Sequence, residues 1–364
     1  MIDRDELAAW LRLLLTPDLG RASARALLSA FGSPQAVFDA SDAARRQVVA
    51  PSVADAACQA PDHLESQIDI TLAWLAAAPA RHIATLGDPD YPGTLLHTAD
   101  PPLMLFLQGR AELLRRPAVA IVGSRNSTPQ GQDNARAFAA HLSREGYVVV
   151  SGMALGIDGA AHDGALQGPG STIAVVGTGL DRIYPSRHRR LAHRIADDGL
   201  LVSEYPLGTP PLPQNFPMRN RIIAGLSDGT LVVEAAVQSG SLITARLAAE
   251  AGREVFAIPG SIHSPQSRGC HALIKQGAKL VESGADVVDE LRPSSRPRPA
   301  PDAGPLLAGD SVLDALGHDP ATLDALMART GWAAPQLSAR LLELELDGGV
   351  VRLPGGLFQR YMPA

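Results

Sequence analysis

The chain has 364 residues, of which 46% are hydrophobic and 19% are charged, and its formal net charge is −6. This is the composition of a globular protein of two or three domains, and it weighs against a protein coated with basic surface. The sequence contains no run of about 20 apolar residues, which is the length needed to span a bilayer. Residues 1–15 contain charged side chains that interrupt the apolar stretch a signal peptide requires, so we expect no secretion signal. Two cysteines, Cys58 and Cys270, make neither a disulfide framework nor a zinc site, so we expect a cytoplasmic protein.

Residues 1–80 predict a module of short helices. Gly20 interrupts the first helical pattern, and Gly32 ends the second before Ser33, an N-cap followed by proline. We expect residues 1–80 to form a helix-hairpin-helix-like or SAM-like domain. Within it, residues 16–33 resemble a helix-hairpin-helix, whose turn presents backbone N–H groups to a DNA phosphate. The alternative is a module that only packs against the rest of the protein, since the turn lacks the usual Gly-x-Gly.

Residues 81–292 alternate short apolar runs with helix-length segments such as 131–145 and 241–252. The runs are short, rich in β-branched residues and apolar on both faces, as strands of a parallel sheet are when helices cover both sides. This pattern predicts a Rossmann-like α/β domain with a doubly wound, mainly parallel sheet. The predicted strands are 118–122, 148–150, 173–176, 200–202, 231–233 and 255–258.

The composition changes after residue 292. Residues 293–305 are rich in proline, serine and arginine and predict a semi-rigid linker. Residues 306–364 predict a winged helix, with helices over 311–316, 322–329 and 335–346 and a hairpin of 349–353 and 355–361. The third helix carries Glu343, Glu345 and Asp347 beside Arg340, which is unfavourable for a reader of the major groove. We therefore expect this module to contact protein or to contact duplex DNA weakly.

Glycine-rich loops follow the first three of these predicted strands. In an open α/β sheet, ligands bind where strands end and helices begin. Glycine lets a ligand approach the backbone, and a helix N-terminus beside an arginine favours an anion. None of the loops is a P-loop or a full dinucleotide fingerprint. Together they predict one anion-binding crevice, whose candidate residues are Gly123, Ser124, Arg125, Ser151, Gly152, Gly156, Gly177 and Gly179.

The segment 215–221 carries the strongest signal. Its candidate residues are Asn215, Phe216, Arg219, Asn220 and Arg221. Two guanidiniums here, together with Arg125 across the crevice, supply paired N–H donors that can bind phosphate oxygens. The ring of Phe216 offers a face on which a base stacks. The alternative is an ion pair of Arg219 or Arg221 inside the domain, which we expect for one of the two, with Asp228, Glu204 or Glu234 as the partner.

Two further sets of polar residues surround this segment in the sequence. Ser239, Gly240, Ser241 and Thr244 begin another predicted helix, a position that suits a phosphate. A basic run contains Arg187, Arg189, Arg190 and Arg194, which mostly share one helix face. We favour a solvated helix face for this run, and an outer track for DNA is the alternative. The histidines show no metal-ligand spacing, so we expect neither a metal nor a cofactor.

Six sequence blocks occur in order: AIVGSRNST, VVSGMALGIDGAAH, AVVGTGLDRIYP, NFPMRNRIIAGLSDGTLVVEA, SGSLITARLAAEAGREVFAIPG and SRGCHALIKQGAKLV. Together they resemble the signature of the DNA-processing protein A (DprA/Smf) family, strongly over 82–291 and more loosely outside this range. The resemblance implies a homodimer built through the Rossmann-like domain. It also implies binding of single-stranded DNA without strict sequence preference, and loading of the RecA recombinase onto that DNA during natural transformation.

The resemblance assigns roles to residues of this sequence. It implies that Gly123, Ser124 and Arg125 form a phosphate pocket, that the segment 216–221 forms its wall, and that the segment 239–244 and Lys275 border it. Two positions depart from the family pattern. Gln238 stands where relatives often have a basic residue, and the loop Thr209–Asn215 contains no lysine or arginine.

The main functional prediction is a non-enzymatic recombination mediator that binds and protects incoming single-stranded DNA. The alternative is a nucleotide-processing enzyme of the phosphoribohydrolase type, in which a glutamate follows a Gly-Thr strand as Glu234 follows Gly229 and Thr230. The PGGxGT motif of that class is absent, and no paired carboxylates or nucleophile–base pair are evident. A winged-helix regulator with a ligand-sensing α/β domain is a third hypothesis, which the acidic third helix of the winged module disfavours.

Overall fold

A computed structural model describes residues 2–292, 310–317, 320–353 and 355–360. The chain forms two compact units, Met1–Arg292 and Pro293–Ala364. The predicted linker, 293–305, lies outside the described residues, as does the beginning of the predicted winged-helix region, 306–309.

Short helices make up the N-terminal part of the first unit. They are α1 (Arg4–Leu15), α2 (Arg21–Phe31), α3 (Pro34–Asp39), α4 (Asp42–Arg46), α5 (Pro51–Ala57) and α6 (Leu64–Ala76). The side chain of Ser33 caps α3 by accepting a hydrogen bond from the Ala36 N–H, and proline occupies the first helical position, as predicted. Leu7 and Leu27 of these helices are buried in one core with Phe106 and Ala174 of the sheet.

Nine strands form one sheet in the order β1-β2-β6-β5-β4-β3-β7-β8-β9. They are β1 (Arg81–Thr85), β2 (Met104–Gly109), β3 (Ala118–Val122), β4 (Val148–Ser151), β5 (Thr172–Val176), β6 (Leu200–Ser203), β7 (Gly229–Val232), β8 (Glu254–Ala257) and β9 (Lys279–Leu280). Strand β2 is antiparallel to both of its neighbours, and the pairs from β6 to β9 are parallel. The predicted Rossmann-like, mainly parallel sheet is confirmed. Strands β1, β2 and β9 were not predicted; β9 has only two residues, both exposed, and so gives no apolar run.

Helices cover both faces of the sheet because successive residues of a strand face opposite sides. In β4, Val148 and Val150 face one helical layer, whereas Val149 faces the other. The first layer contains α10 (Asn215–Gly225), α11 (Ser241–Glu250) and α12 (Arg268–Lys275). The second contains α7 (Pro129–Arg144), α8 (Ile157–Ala165), α9 (Arg189–Asp198) and α13 (Gly284–Leu291).

The strand order reverses beside β3. Strands β4, β5 and β6 follow on one side of β3, and β7, β8 and β9 lie on the other. At such a reversal, the connections that leave two neighbouring strands diverge and a crevice opens at the carboxyl ends of the strands. The topology therefore locates a ligand site between the loops that follow β3 and β7.

The second unit has the arrangement predicted for a winged helix. It contains α14 (Ser311–Leu316), β10 (Ala321–Thr322), α15 (Leu323–Thr330), α16 (Ala334–Leu346), β11 (Val350–Leu353) and β12 (Leu357–Arg360). The three strands form an antiparallel sheet in the order β10-β12-β11. Gly331 ends α15 with φ +71°, a left-handed conformation that favours glycine. Leu326, Leu341 and Phe358 belong to a separate core.

One carboxylate in the first unit is shared by three arginines. Asp100 accepts hydrogen bonds from Arg21 (Nε–Oδ2, 2.8 Å), Arg25 (Nη1–Oδ1, 2.5 Å) and Arg221 (Nε–Oδ2, 3.0 Å). Arg221 also pairs with the buried Glu204. The network thus joins α2 to α10. It supports the packing interpretation of residues 16–33, because the two arginines of α2 bind Asp100 inside the protein.

The arginines also control the ionisation of Asp100. Burial opposes ionisation, but hydrogen bonds from Arg221, Arg21 and Arg25 outweigh it and lower the pKa of Asp100 to about 2. Since this value lies below the ordinary value of 3.8, ionised Asp100 stabilises the folded state fully above its ordinary pKa. This contribution is lost as the pH falls towards 2.

Replacing Asp100 with Ala is expected to lower the free energy of unfolding at pH 7 by about 3 kcal/mol, because it leaves the buried Arg221 with one carboxylate instead of two. Urea unfolding measures the change. The matched control is Asp90→Ala, which removes an exposed pair with Arg115 and should cost less than about 1 kcal/mol. Equal losses in the two variants would contradict a structural role for the shared carboxylate.

Candidate functional site

A cleft of about 560 Å³ opens at the carboxyl ends of β3 and β7. Its walls are the loop after β3, the first turns of α10 and the loop that leads into α11. The cleft brings together ten of the predicted site residues: Gly123, Ser124, Arg125, Phe216, Arg219, Asn220, Ser239, Gly240, Ser241 and Thr244.

Arg125 is the exposed cation of this cleft. Its guanidinium carbon lies 5.7 Å from the centroid of the Phe216 ring, and it forms no ion pair with a described residue. The loop that carries it is fixed from below, since the Ser124 N–H donates to the carbonyl of Glu234 (2.7 Å). A Cβ on Gly123 would lie 2.6 Å from the side chain of Ile157, so this close packing requires glycine. A rigid loop therefore holds a guanidinium that is free to bind an anion.

The opposite wall is the beginning of α11. Gly240 is the N-cap residue and provides no side-chain cap. The Ser239 and Ser241 hydroxyls are hydrogen-bonded to each other (Oγ–Oγ, 2.7 Å). The Asn220 amide donates to the Gly240 carbonyl (3.4 Å), which ties α10 to this wall. The two hydroxyls and the positive end of the helix dipole together favour a negatively charged group.

Arg219 forms part of the floor and is almost fully buried. It donates to the carbonyl of Val175 (Nη1–O, 3.1 Å). Burial lowers the pKa of Arg219 to about 10, Asp158 opposes this change, and Arg125 adds to it. A Cβ on Gly152 would lie 1.7 Å from Nη1 of Arg219. Glycine at 152 is therefore required to make room for the arginine, not for a ligand.

Asp158 lies beside Arg219 and also lines the cleft. Its carboxylate accepts hydrogen bonds from the N–H groups of Gly152 and Ala154, each 3.2 Å long. Burial raises the pKa of Asp158, and the charge of Arg219 works against this rise. The floor of the cleft thus contains a buried carboxyl group beside a buried guanidinium, and Arg125 adds an exposed positive charge.

Eight predicted residues lie outside the lining of the cleft. Arg221 is bound to Asp100 and Glu204, which is the internal pairing expected for one of the two arginines. Ser151 donates to the Ile121 carbonyl (2.7 Å), and the Asn215 amide donates to the Gly177 carbonyl (3.0 Å). Lys275 is exposed at the end of α12. The remaining three are Gly152, Gly156 and Gly179.

The crevice expected from the loops after β3, β4 and β5 differs from the observed one. The loop after β5 does not line it, and the loop after β7 takes that place. The cause is the reversal of strand order, which makes β7 the neighbour of β3. Gly156, at φ +79°, lies under the Ser124 carbonyl, and a Cβ there would approach that oxygen to 2.4 Å. These loop glycines accommodate protein atoms.

Sequence reasoning missed three neighbours of the site. Gln266 lines the cleft from the short 3-10 turn that precedes α12, and its position gives no local signal. Asp158 lines the cleft but is not among the residues predicted for the site. Tyr184 lies next to Phe216, with ring centroids 5.5 Å apart and planes inclined by 45°. An aromatic residue that follows a glycine-rich loop is a signal that would have identified Tyr184.

Two classes of feature are absent from the described residues. No group of three or more histidine, cysteine, aspartate or glutamate side chains is placed to hold a metal ion. In the same part of the chain, none of the helices combines the length and the apolar character that crossing a bilayer requires.

The chain matches the sequence family described as DNA recombination-mediator protein A over residues 82–292, and the DprA winged-helix family over residues 295–356. Protein Smf of Escherichia coli is 44% identical over 299 residues, which cover 79% of this chain and 80% of the relative. This chain belongs to the DNA recombination-mediator protein A family. The family prediction made from the six blocks is therefore confirmed.

Further members of the DNA recombination-mediator protein A family are also similar. DNA processing protein DprA of Streptococcus pneumoniae is 53% identical over 204 residues, or 56% of this chain and 72% of the relative. An X-ray structure of that organism's DprA superposes with a TM-score of 0.64 at 39% identity, covering 79% of this chain and 98% of the other. The structure of the Helicobacter pylori protein, described for its single-stranded DNA binding mode, superposes with a TM-score of 0.53 at 33% identity, covering 58% and 95%.

A buried histidine next to the site makes stability depend on pH. His162 is fully buried, and its Nδ1 is hydrogen-bonded to the Thr172 hydroxyl (2.7 Å). Burial, followed by the charges of His188 and Arg219, lowers the pKa of His162 to about 3 from an ordinary 6.5. Between these values the unfolded chain binds a proton that the folded protein does not bind. Stability should therefore be unaffected by His162 above the ordinary pKa and should fall as the pH decreases below it.

Replacing His162 with Gln should reduce this dependence. The free energy of unfolding, measured with urea at several pH values between 4 and 8, should fall less steeply with acidification in the variant, by up to about 1.4 kcal/mol per pH unit. The corresponding control is His82→Gln, at an exposed histidine of the edge strand β1. Parallel pH profiles for wild type and His162→Gln would contradict the assignment.

Proposed function

We propose that this chain binds single-stranded DNA in the cleft between β3 and β7 and acts there as a binding protein, not as an enzyme. The observation that carries the proposal is the free guanidinium of Arg125 beside the half-buried ring of Phe216. A phosphate and an unpaired base are the two groups that this pair recognises best. The similarity to the Helicobacter pylori protein with a described single-stranded DNA binding mode supports the same conclusion.

The size and shape of the cleft favour a single strand over a duplex. A phosphate fits between Arg125 and the beginning of α11, where it meets the Ser239 and Ser241 hydroxyls and the positive end of the helix dipole. The adjacent base then stacks on Phe216. In a duplex the bases are paired and stacked on each other, so none reaches the ring. Binding through backbone and stacking contacts also accounts for a lack of strict sequence preference.

The same proposal covers the wider role of the protein. Membership of the recombination-mediator family supports a part in the processing of incoming DNA during natural transformation. Loading of RecA, a homodimer built through the Rossmann-like domain and a cytoplasmic location belong to this proposal. They rest on the family relationship and on the composition of the chain.

The position of Glu234 argues against the phosphoribohydrolase alternative. Its carboxylate accepts hydrogen bonds from the Thr128 N–H (2.9 Å) and hydroxyl (2.5 Å) at the beginning of α7. It does not line the cleft. Burial raises the pKa of Glu234, and the bonds from Thr128 oppose that rise. A carboxylate occupied in this way anchors α7 and is not directed at a bound nucleotide.

Replacing Arg125 with Ala is expected to weaken binding of a single-stranded oligonucleotide at moderate salt by at least about tenfold, because the variant loses the free fork donor of the cleft. Fluorescence anisotropy with a labelled oligothymidylate measures the change. The matched control is Arg115→Ala, an exposed arginine outside the cleft that pairs with Asp90. Wild-type affinity of Arg125→Ala, or an equal loss in the control, would contradict the proposed site.

Incubation of the protein with each nucleoside monophosphate should release no free base above the rate of a buffer blank. Among the described residues that line the cleft, the one carboxylate is Asp158, which is buried and already accepts hydrogen bonds from two backbone N–H groups. Chromatographic separation of base from nucleotide provides the measurement. Steady release that Glu234→Gln abolishes would replace the binding proposal with the enzymatic alternative.

A further inference from the structure

An aromatic surface continues beyond the cleft. The Tyr184 ring packs beside Phe216 and is 49% exposed, so one face remains available to a ligand. Arg125 approaches the Phe216 ring. A strand held by Arg125 and stacked on Phe216 therefore meets a second exposed ring directly outside the cleft.

The chain that follows Tyr184 leads to three exposed arginines. After Pro185, a short 3-10 helix, Ser186–His188, joins α9. Nδ1 of His188 lies 3.0 Å from the carbonyl oxygen of Met153, whose neighbour Ala154 lines the cleft. This contact fixes the beginning of α9 at the rim. We call Arg187, Arg189 and Arg190 the arginine ridge.

No contact with the described residues gives the arginine ridge a structural role. Its three side chains are exposed and form no hydrogen bond or ion pair with another described residue, whereas Arg194 of the same helix pairs with Asp163 (2.6 Å). The ridge also lies at the beginning of α9, where the helix dipole disfavours positive charge, and the first turn contains no acidic residue. Helix stability thus does not explain where these cations lie. A nucleic-acid backbone that passes over the three arginines would explain their position.

We propose that the single strand bound in the cleft continues over Tyr184 onto the arginine ridge, so that one base stacks on Tyr184 and the next phosphates bind Arg187, Arg189 and Arg190. This inference rests on the proposed function of the cleft and extends it. It selects the outer-track interpretation of the basic run over the solvated face. The occupant is a nucleic-acid backbone because a series of separate guanidiniums beside two aromatic rings matches alternating phosphates and bases.

The test compares a long oligothymidylate of about 30 nucleotides with a short one of about five, near the lower limit of single-strand site sizes. The variant carries three substitutions at once: Arg187→Gln, Arg189→Gln and Arg190→Gln. Affinities are measured by anisotropy over a series of salt concentrations. For single strands, each phosphate contact contributes about 0.7 to the slope of log affinity against log salt, so loss of three contacts should reduce the slope for the long oligonucleotide by about 2.

Three companion variants make the result specific. Arg194→Gln, on the same helix but already paired with Asp163, should leave the slope unchanged. Replacing the three arginines with Lys should keep most of the slope, because each phosphate still meets a positive charge. Tyr184→Ala should weaken binding of the long oligonucleotide about fivefold or more, which corresponds to the loss of one stacked base.

The outcomes separate this inference from the function on which it rests. If wild type binds and Arg125→Ala does not, but the ridge variant keeps the wild-type slope, the cleft is the site and the path over the ridge is wrong. Equal losses for the short and long oligonucleotides would also overturn the path, since the short one is expected to need only the cleft. If wild type binds neither, the proposed function itself fails. Thermal unfolding of each variant, expected to match wild type, shows that the fold is retained.

Discussion

The neighbouring positions of β3 and β7 are the constraint on which the site depends. These strands are parallel and hydrogen-bonded along Val119–Val122 and Gly229–Val232, yet their connections lead to opposite faces of the sheet. The backbone after each strand must diverge, and the resulting gap lies at the positive ends of α7 and α11. Topology is thus the first cause of the anion-binding character that we propose for the cleft. The side chains of the loops then determine which anion fits.

Three arginines near this gap have different roles because their burial differs. Arg221 points away from the cleft, and its two carboxylate partners bind α10 to the N-terminal helices. Arg219 is buried beneath the cleft, where Asp158 lies beside it and its Nη1 donates a hydrogen bond to the Val175 carbonyl. Only Arg125 is exposed beside the cleft without a partner among the described residues. Because the first two hold α10 and the floor in place, the third can meet a phosphate without rearrangement, which reduces the entropy lost on binding.

Most of the fold could be predicted from the sequence, because core strands and helices follow from local apolar patterns. The run Ala118–Val122 coincides with β3, and the winged helices agree within a residue or two. The site was predicted less completely. Residue type alone does not distinguish Arg221 from Arg125, since their partners Asp100 and Phe216 are remote in sequence from them. The adjacency of β3 and β7 depends on strand order, which no local pattern specifies, and so the loop after β5 was wrongly expected to line the crevice.

The glycine-rich loops show how a sequence signal can be correct while its physical cause differs from the one expected. Gly123, Gly152 and Gly156 were chosen as places where a ligand approaches the backbone. In the structure a Cβ at each would instead collide with Ile157, Arg219 or the Ser124 carbonyl. These glycines bring α8, Arg219 and the loop after β3 close together, and that packing positions Arg125. A substitution at Gly152 would therefore impair the proposed anion site by displacing Arg219, even though the glycine itself does not line the cleft.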